Sequence, residues 1–321
     1  MDIKKVVVCG GGVLGAQIAL QAQYCGFDTT IWLRSEGSIE RAKPRLERFT
    51  QERIKDLDIL EENKSELLVP RGLVDSLENF DHDKTVEKVK KAHEDLKLET
   101  DKEKAFDDCD LIIEAMTENL DQKKDFYQSI REYLPEKTII CTNSSSLLPS
   151  SFMKDTGREE KFLALHFAND IHKLNTAEVM RTSKTSDEAF DTVVKFSEDI
   201  RMVPIKLKKE KEGYILNSLL IPFMLSAGDL YATGVADVED IDNTWKIATG
   251  APMGPFDIYD MVGMKTPLEM GKEFEKEQDE NSPYDYKKIN EILEEKIEQN
   301  KLGRETGEGF YKYDEDGNKI K

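Results

Sequence analysis

Three glycines near the start of the chain constrain its fold more than any other feature. In VVVCGGGVLGAQIALQAQY the β-branched run Val6–Val7–Val8 leads into Gly10, Gly12 and Gly15, and an apolar helical pattern follows. A second apolar strand, Thr29 to Leu33, comes next. Between a strand and a helix, glycines at this spacing have distinct tasks. The first allows a tight turn, the second lets the backbone approach a pyrophosphate, and the third lets the helix lie close on the strand. The helix start then offers unpaired N–H groups and partial positive charge to that anion. The turn therefore predicts a bound dinucleotide, held by Gly10, Gly12 and Gly15 with Val13 and Leu14 at the head of the helix. The alternative is a glycine-rich turn with no ligand.

The end of the second strand bears on which dinucleotide. NAD-binding units usually place Asp or Glu there, where a carboxylate accepts from the ribose 2′-hydroxyl. This chain has Leu33 and Arg34, followed by Ser35. A guanidinium grips a phosphate through paired N–H groups, so Arg34 predicts a tilt from NAD(H) towards NADP(H). The competing reading is an arginine that points into water or stacks on the adenine.

The rest of the composition suits a cytoplasmic enzyme. With 321 residues, 38% of them hydrophobic, the chain can bury a substantial core and fits two domains. The formal charge of −19 argues against nucleic acid, whose phosphates require a basic surface. No apolar run reaches membrane-spanning length and MDIKKVVV does not read as an export signal, so neither a membrane nor export is expected. Cys9, Cys25, Cys109 and Cys141 are scattered without CxxC or metal-ligand spacing, so no metal is expected; Cys9 and Cys141 read as buried free thiols.

Strands and helices alternate to about residue 207. The later strands are Asp110 to Met116, Thr138 to Asn143, Lys161 to Phe167, Thr176 to Met180 and Met202 to Leu207. This alternation predicts an α/β fold, a doubly wound and mostly parallel sheet of Rossmann type over residues 1–207. Between Arg34 and Asp110 lies a charged insertion whose apolar residues recur at helical spacing, which predicts a projecting pair of helices. From 208 to 321 the pattern becomes wholly helical. The stretch Leu216 to Leu230 is apolar almost all round, as either a core helix or a subunit interface would be.

In open α/β sheets, ligands sit outside the carboxyl ends of the strands, which makes each strand exit a candidate for chemistry. One exit delivers Asn143, Ser144, Ser145 and Ser146; another delivers His166 and Asn169. Glu178 lies twelve residues beyond the histidine on an adjacent strand, and Asn217 begins a later helix. A histidine in an apolar run is often only a hydrogen-bonded core residue. A carboxylate on the neighbouring strand would instead orient the imidazole as a general acid–base for a carbinol proton.

The chain resembles the 3-hydroxyacyl-CoA dehydrogenases over nearly its whole length. The stretches that carry the likeness are GGGVLGAQIA, DLIIEAMTENLDQKKDFY, TNSSSL, HFANDIHKLNTAEVM, GYILNSLLIPF, GAPMGPFDIYDMVG and LGRETGEGFYKYD. The resemblance implies that His166 is the catalytic histidine and Glu178 its partner. By the same likeness Ser145 hydrogen-bonds the substrate oxygen, and Asn217, on the helical domain, completes the site. Asn169 would lie near the nicotinamide, and Glu118 and Lys123 would line the cofactor with Ala115 and Asn143. Family likeness also implies a short-chain 3-hydroxyacyl-CoA thioester as substrate, NAD(H) as the usual cofactor, and a homodimer formed through the helical domain.

Three departures bear on the substrate. The family's histidine segment runs HFFNPxPxM, whereas this chain has HFANDIHKLNTAEVM, which loses the prolines and brings Asp170, His172 and Lys173 beside the site. Ser218 follows Asn217 where the family usually has arginine. The insertion before Asp110 is longer than the family's, and acidic residues are at least as frequent in it as basic ones. A second reading therefore keeps the chemistry but takes a small free 3-hydroxy or 3-oxo acid or a diketone. A third is a non-catalytic dinucleotide-binding or structural protein, which gives no reason to retain Ser145, His166, Glu178 and Asn217 together.

Overall fold

The computed structural model describes residues 2–314 and 318–320. They divide into two compact units, Met1–Ile215 and Leu216–Lys321. The first begins with β1 (Lys5–Cys9), α1 (Val13–Tyr24), β2 (Asp28–Trp32), α2 (Glu36–Asn63), α3 (His82–Asp95), β3 (Lys97–Glu99) and α4 (Lys102–Phe106). It continues with β4 (Leu111–Glu114), α5 (Leu120–Ile130), β5 (Ile139–Thr142), β6 (Phe162–Phe167), β7 (Thr176–Arg181), α6 (Asp187–Asp199) and β8 (Val203–Leu207).

These strands form one sheet in the order β3-β2-β1-β4-β5-β6-β7-β8, parallel except for β6 against β7. Both faces are covered, which is why its strands read as continuous apolar runs rather than alternating ones. Val6 and Val8 of β1 enter one core with Ile18 and Leu20 of α1, while Val7 and Cys9 enter the other with Phe126 and Tyr127 of α5. The order reverses between β1 and β4, so the crevice at their carboxyl ends is the topological switch point where such folds bind ligands.

The insertion forms the expected helix pair, anchored by a core of its own. Tyr24 of α1, Leu57 and Leu60 of α2, Leu73, Val74, and Val89 and Ala92 of α3 are buried together. The insertion also contains β3, a strand that periodicity does not signal. Its three residues, Lys97, Leu98 and Glu99, pair parallel with β2 at the sheet edge, where half-exposed positions need no apolar alternation.

The unit boundary falls after Ile215, a few residues beyond the expected boundary at 207. The reason lies in the contacts of this segment. Tyr214 donates its hydroxyl to the Ser144 carbonyl (2.8 Å), and the Ile215 N–H donates to Glu178 (2.8 Å), which ties both to the first unit.

The second unit contains α7 (Leu216–Ala232), α8 (Val238–Thr249), α9 (Pro255–Val262), α10 (Lys265–Lys276) and α11 (Tyr286–Glu298). It is not wholly helical, because Lys312–Tyr313 and Lys319–Ile320 pair as a short antiparallel ribbon. Two buried aspartates join two of the stretches that carry the resemblance. Asp242 accepts from the Phe256 and Asp257 N–H groups at the start of α9 and from the Tyr311 hydroxyl. Asp260 accepts from the Phe310 and Tyr311 N–H groups and the Tyr313 hydroxyl. A side chain at Gly254 or Gly309 would place its Cβ 2.3 Å from Asp242 or 2.1 Å from Asp260. PMGPF and GEGFYKY are thus structural signatures whose glycines make room for carboxylates. No helix among the described residues is long and apolar enough to cross a membrane.

Candidate active site

The glycine turn has the geometry a dinucleotide needs. Gly10 adopts φ +116°, and a Cβ there would lie 2.6 Å from the Ala115 carbonyl oxygen, at the exit of β4. A Cβ on Gly15 would lie 2.0 Å from the Gly10 oxygen, so this glycine sets how closely α1 packs on the turn. At Gly12 a Cβ would meet nothing within 4 Å, which leaves the crest of the turn open to a ligand. No side chain caps α1, and Val13 is exposed and Leu14 half-buried beside its free N–H groups. The turn fits a pyrophosphate. Arg34 stands exposed just beyond β2.

His166 and Glu178 are register partners across the antiparallel pair β6–β7. Cross-strand register alone brings their side chains to one face, and His166 Nδ1 lies 3.0 Å from Glu178 Oε2. Both residues are only 5% exposed. The other carboxylate oxygen, Oε1, accepts the Ile215 N–H. With Nδ1–H directed at the carboxylate, Nε2 is the ring nitrogen left for another partner, and it has none among the described residues. The Tyr214 ring stacks on the imidazole, 4.5 Å between centroids and 17° from parallel. Burial, and then the negative charges of Glu118 and Glu178, push the Tyr214 phenol well above its ordinary range, so it remains a donor.

The serine turn after β5 is held from below by Glu118. One carboxylate oxygen accepts from the Ser144 hydroxyl (2.5 Å), the Ser145 N–H (3.0 Å), and the Ser146 N–H and hydroxyl (2.8 and 2.9 Å). Burial raises the Glu118 carboxyl, but these hydrogen bonds and the Lys123 charge outweigh it and hold the group below its usual range. Ser145 is left half-exposed with its hydroxyl uncommitted among the described residues. Lys123 is buried, bonded to Glu114 at 2.6 Å and 3.5 Å from Glu118. Asn143 is also turned inward, where its side-chain oxygen accepts the Phe167 N–H (3.0 Å) and links the exits of β5 and β6. Asn169, two residues beyond β6, is exposed. Asn217 lies in the first turn of α7, in the second unit.

The structure thus joins Asn143, Ser144, Ser145, His166, Glu178 and Glu118 in one hydrogen-bonded region, with Tyr214 as a member the sequence reading missed. A glycine–aromatic pair just ahead of an apolar helix, Gly213–Tyr214, was its only signal. Glu114 was missed as well, although a carboxylate ending the apolar run LIIE is a visible anomaly.

The charged loop beside the histidine does not turn all its charge to the site. His172 is 2% exposed and its Nε2 lies 2.7 Å from Asp56 of α2, which also pairs with Lys173 at 3.0 Å. The Gly72 N–H donates to the His172 carbonyl, and Gln17 of α1 accepts the Ile171 N–H. This clasp fixes the loop where prolines are absent. Burial, reinforced by the Arg53 charge and opposed by Asp56, holds the His172 imidazole below its usual pKa. Burial also raises the Asp56 carboxyl, but bonds from His172 and Lys173 bring it below normal. On acidification below about pH 6.5 the unfolded chain binds a proton at His172 before the folded chain does, so stability falls. Asp56 extends the loss below about pH 4. Between about pH 7 and pH 5, wild type is expected to lose ~1 kcal/mol more stability than His172→Gln in urea unfolding. Equal losses would show that His172 titrates alike in both states.

Comparison with known proteins agrees with this fold. Residues 5–211 match the family model for the 3-hydroxyacyl-CoA dehydrogenase NAD binding domain, and residues 213–313 match that for its C-terminal domain. The chain is 31% identical to the mitochondrial hydroxyacyl-coenzyme A dehydrogenase of Homo sapiens, covering 97% of this chain and 91% of that protein. It is also 31% identical to the 3-hydroxybutyryl-CoA dehydrogenase of Clostridioides difficile, over 96% and 99% of the two chains. Among solved structures, a diketoreductase described as acting on dicarbonyl compounds superposes with TM-score 0.82 at 42% identity, covering 98% of this chain and all of its own. With both of its units matched in order and its glycine turn intact, the chain is a member of the 3-hydroxyacyl-CoA dehydrogenase family and an oxidoreductase that uses a nicotinamide cofactor.

Proposed function

We propose that the chain interconverts the 3-hydroxyl and 3-oxo groups of a short-chain 3-hydroxyacyl-CoA, with His166 and Glu178 as its acid–base pair. The observation that carries this reading is the buried 3.0 Å contact between them beside the serine turn. A dinucleotide whose pyrophosphate is held by Gly10, Gly12 and Gly15 would supply, through its nicotinamide, the carbon that accepts or donates hydride. In oxidation His166 Nε2 takes the proton of the 3-hydroxyl, and in reduction it returns a proton to the same oxygen. Glu178 receives Nδ1–H throughout, which fixes the tautomer and balances the charge that forms on the ring. Ser145 donates to the reacting oxygen, and the part of Asn217 is the one that the family resemblance implies. Glu118 keeps the serine turn in place, with Lys123 beneath it, and Asn143 and Ala115 shape the strand exits. Asn169 would lie near the nicotinamide, as the family resemblance implies.

The cofactor is read as NADP(H), because Arg34 replaces the usual carboxylate. The setting is read as cytoplasmic and the assembly as a homodimer through α7. In support of the latter, Leu219 of that helix is 69% exposed.

A second reading has a specific observation behind it. The diketoreductase likeness, at 42% identity, exceeds that to either CoA-dependent relative above. It favours a small free dicarbonyl or 3-oxo acid with the same residues in the same roles. Initial rates with acetoacetyl-CoA and with free acetoacetate, each with NADPH and NADH, separate the readings. The expected result is at least about a tenfold higher kcat/KM for the thioester and for NADPH. Equal or better use of the free acid establishes the second reading, and equal use of NADH removes the Arg34 argument.

A further inference from the structure

Tyr214 and its peptide neighbour contact the serine turn, His166 and Glu178 at once, and the backbone shows that they are held there. The φ of Gly213 is +70° and that of Tyr214 +53°, so two successive residues take the left-handed conformation, the second of them carrying a side chain. Such a conformation persists only where surrounding contacts over-determine it. The Tyr214 ring, 1% exposed, packs with Ala164, Met180 and Leu207 and stacks on the His166 imidazole, 4.5 Å between centroids. Its hydroxyl donates to the Ser144 carbonyl at 2.8 Å. The N–H of the next residue, Ile215, donates to Glu178 Oε1, and the other oxygen of that carboxylate is the one that holds His166 Nδ1.

We infer that Tyr214 is a positioning residue that sets the His166 imidazole in register with the Ser145 hydroxyl. The inference rests on the acid–base reading of His166 and adds a residue to it. The bond to Glu178 fixes His166 at one ring nitrogen but leaves the ring free to tilt about the line from Nδ1 to Oε2. A flat aromatic face 17° from parallel removes that freedom. The same tyrosine acts on the serine turn. The Ser144 carbonyl and the Ser145 N–H belong to one rigid peptide unit. Tyr214 holds its carbonyl and Glu118 accepts its N–H at 3.0 Å, so the peptide plane is pinned from both ends and the Cα of Ser145 with it. In the proposed reaction His166 Nε2 and the Ser145 hydroxyl must reach the same substrate oxygen, and one side chain registers both. A tyrosine with only a packing role would need only the apolar contacts. Phenylalanine would meet those and spare the cost of burying a hydroxyl.

The test is steady-state kinetics of the full chain with the better of acetoacetyl-CoA and free acetoacetate, beside fluorescence titration of the reduced dinucleotide. Tyr214→Leu is expected to lower kcat about a hundredfold, with KM and the dinucleotide Kd within about threefold of wild type. Tyr214→Phe keeps the stack and loses only the bond to Ser144, so it should recover to within about fivefold of wild type. In a His166→Gln background Tyr214→Leu should cost no more than about threefold further, because the side chain it positions no longer moves a proton. A Ser145→Ala background should likewise absorb the loss in Tyr214→Phe. Losses that carry over unchanged into those backgrounds would make Tyr214 a packing residue and overturn the inference, as would wild-type kcat in Tyr214→Leu. Should Tyr214→Leu fail to bind the dinucleotide, the cycle of Tyr214→Phe with Ser145→Ala decides alone. A His166→Gln loss below about tenfold would instead remove the acid–base reading, and the inference with it.

Discussion

His166→Gln is expected to lower kcat about a thousandfold while leaving the Kd for the reduced dinucleotide within a few-fold. The size of the effect follows from the geometry. Glutamine retains a polar group near Glu178 but cannot exchange a proton with a substrate oxygen, and no second titratable group adjoins Nε2 among the described residues. The loss should fall on kcat rather than KM, because the proton moves only as the transition state is reached. Cofactor binding depends on the glycine turn, on different strands of the sheet, and so reports that the variant is folded. The check is steady-state kinetics with acetoacetyl-CoA alongside fluorescence titration of the dinucleotide. A loss of less than about tenfold would leave His166 as a hydrogen-bonded core residue.

Glu114→Ala carries the largest expected cost in stability, about 3–5 kcal/mol. Glu114 is fully buried and bonds the Lys123 ammonium at 2.6 Å, the Tyr127 and Thr142 hydroxyls at 2.9 Å each, and the Met116 N–H at 2.8 Å. Truncation leaves a buried cation 3.5 Å from its remaining carboxylate, Glu118, and two hydroxyls without their acceptor. Because Glu118 also holds the serine turn, the strain reaches the site as well as the core. Removing both charges, as in Glu114→Gln with Lys123→Met, should recover most of the loss, since a buried ion pair contributes little net stability over an apolar substitute. Urea unfolding of the three proteins checks this. A single variant within about 1 kcal/mol of wild type would show that the pair is not desolvated as the structure has it.

How much could be read in advance varied with the kind of signal. The glycine turn is local: strand, spacing and helix all lie within twenty residues, and the structure reproduces each. The His166–Glu178 contact was also legible, because residues on adjacent strand patterns need only a register to meet. Lys123 was harder. The family resemblance implies that it lines the cofactor, and its ammonium is buried against Glu114 and Glu118, nine and five positions earlier, which no hydrophobic period signals. His172 and Lys173 read as charge beside a substrate, but Asp56, more than a hundred positions earlier, draws them onto α2. Tyr214 belongs to no periodic element, and its stacking on His166 depends on where the chain leaves the sheet. β3 escaped notice because an edge strand of three residues carries no hydrophobic period.

The measurement that tests the central claim most directly is a double-mutant cycle on kcat with acetoacetyl-CoA, using His166→Gln, Glu178→Gln and the two combined. If Glu178 works through His166, Glu178→Gln alone costs about a hundredfold, and the double variant is no worse than His166→Gln by more than about threefold. Losses that multiply would contradict the account, because they would mean that the two residues act independently.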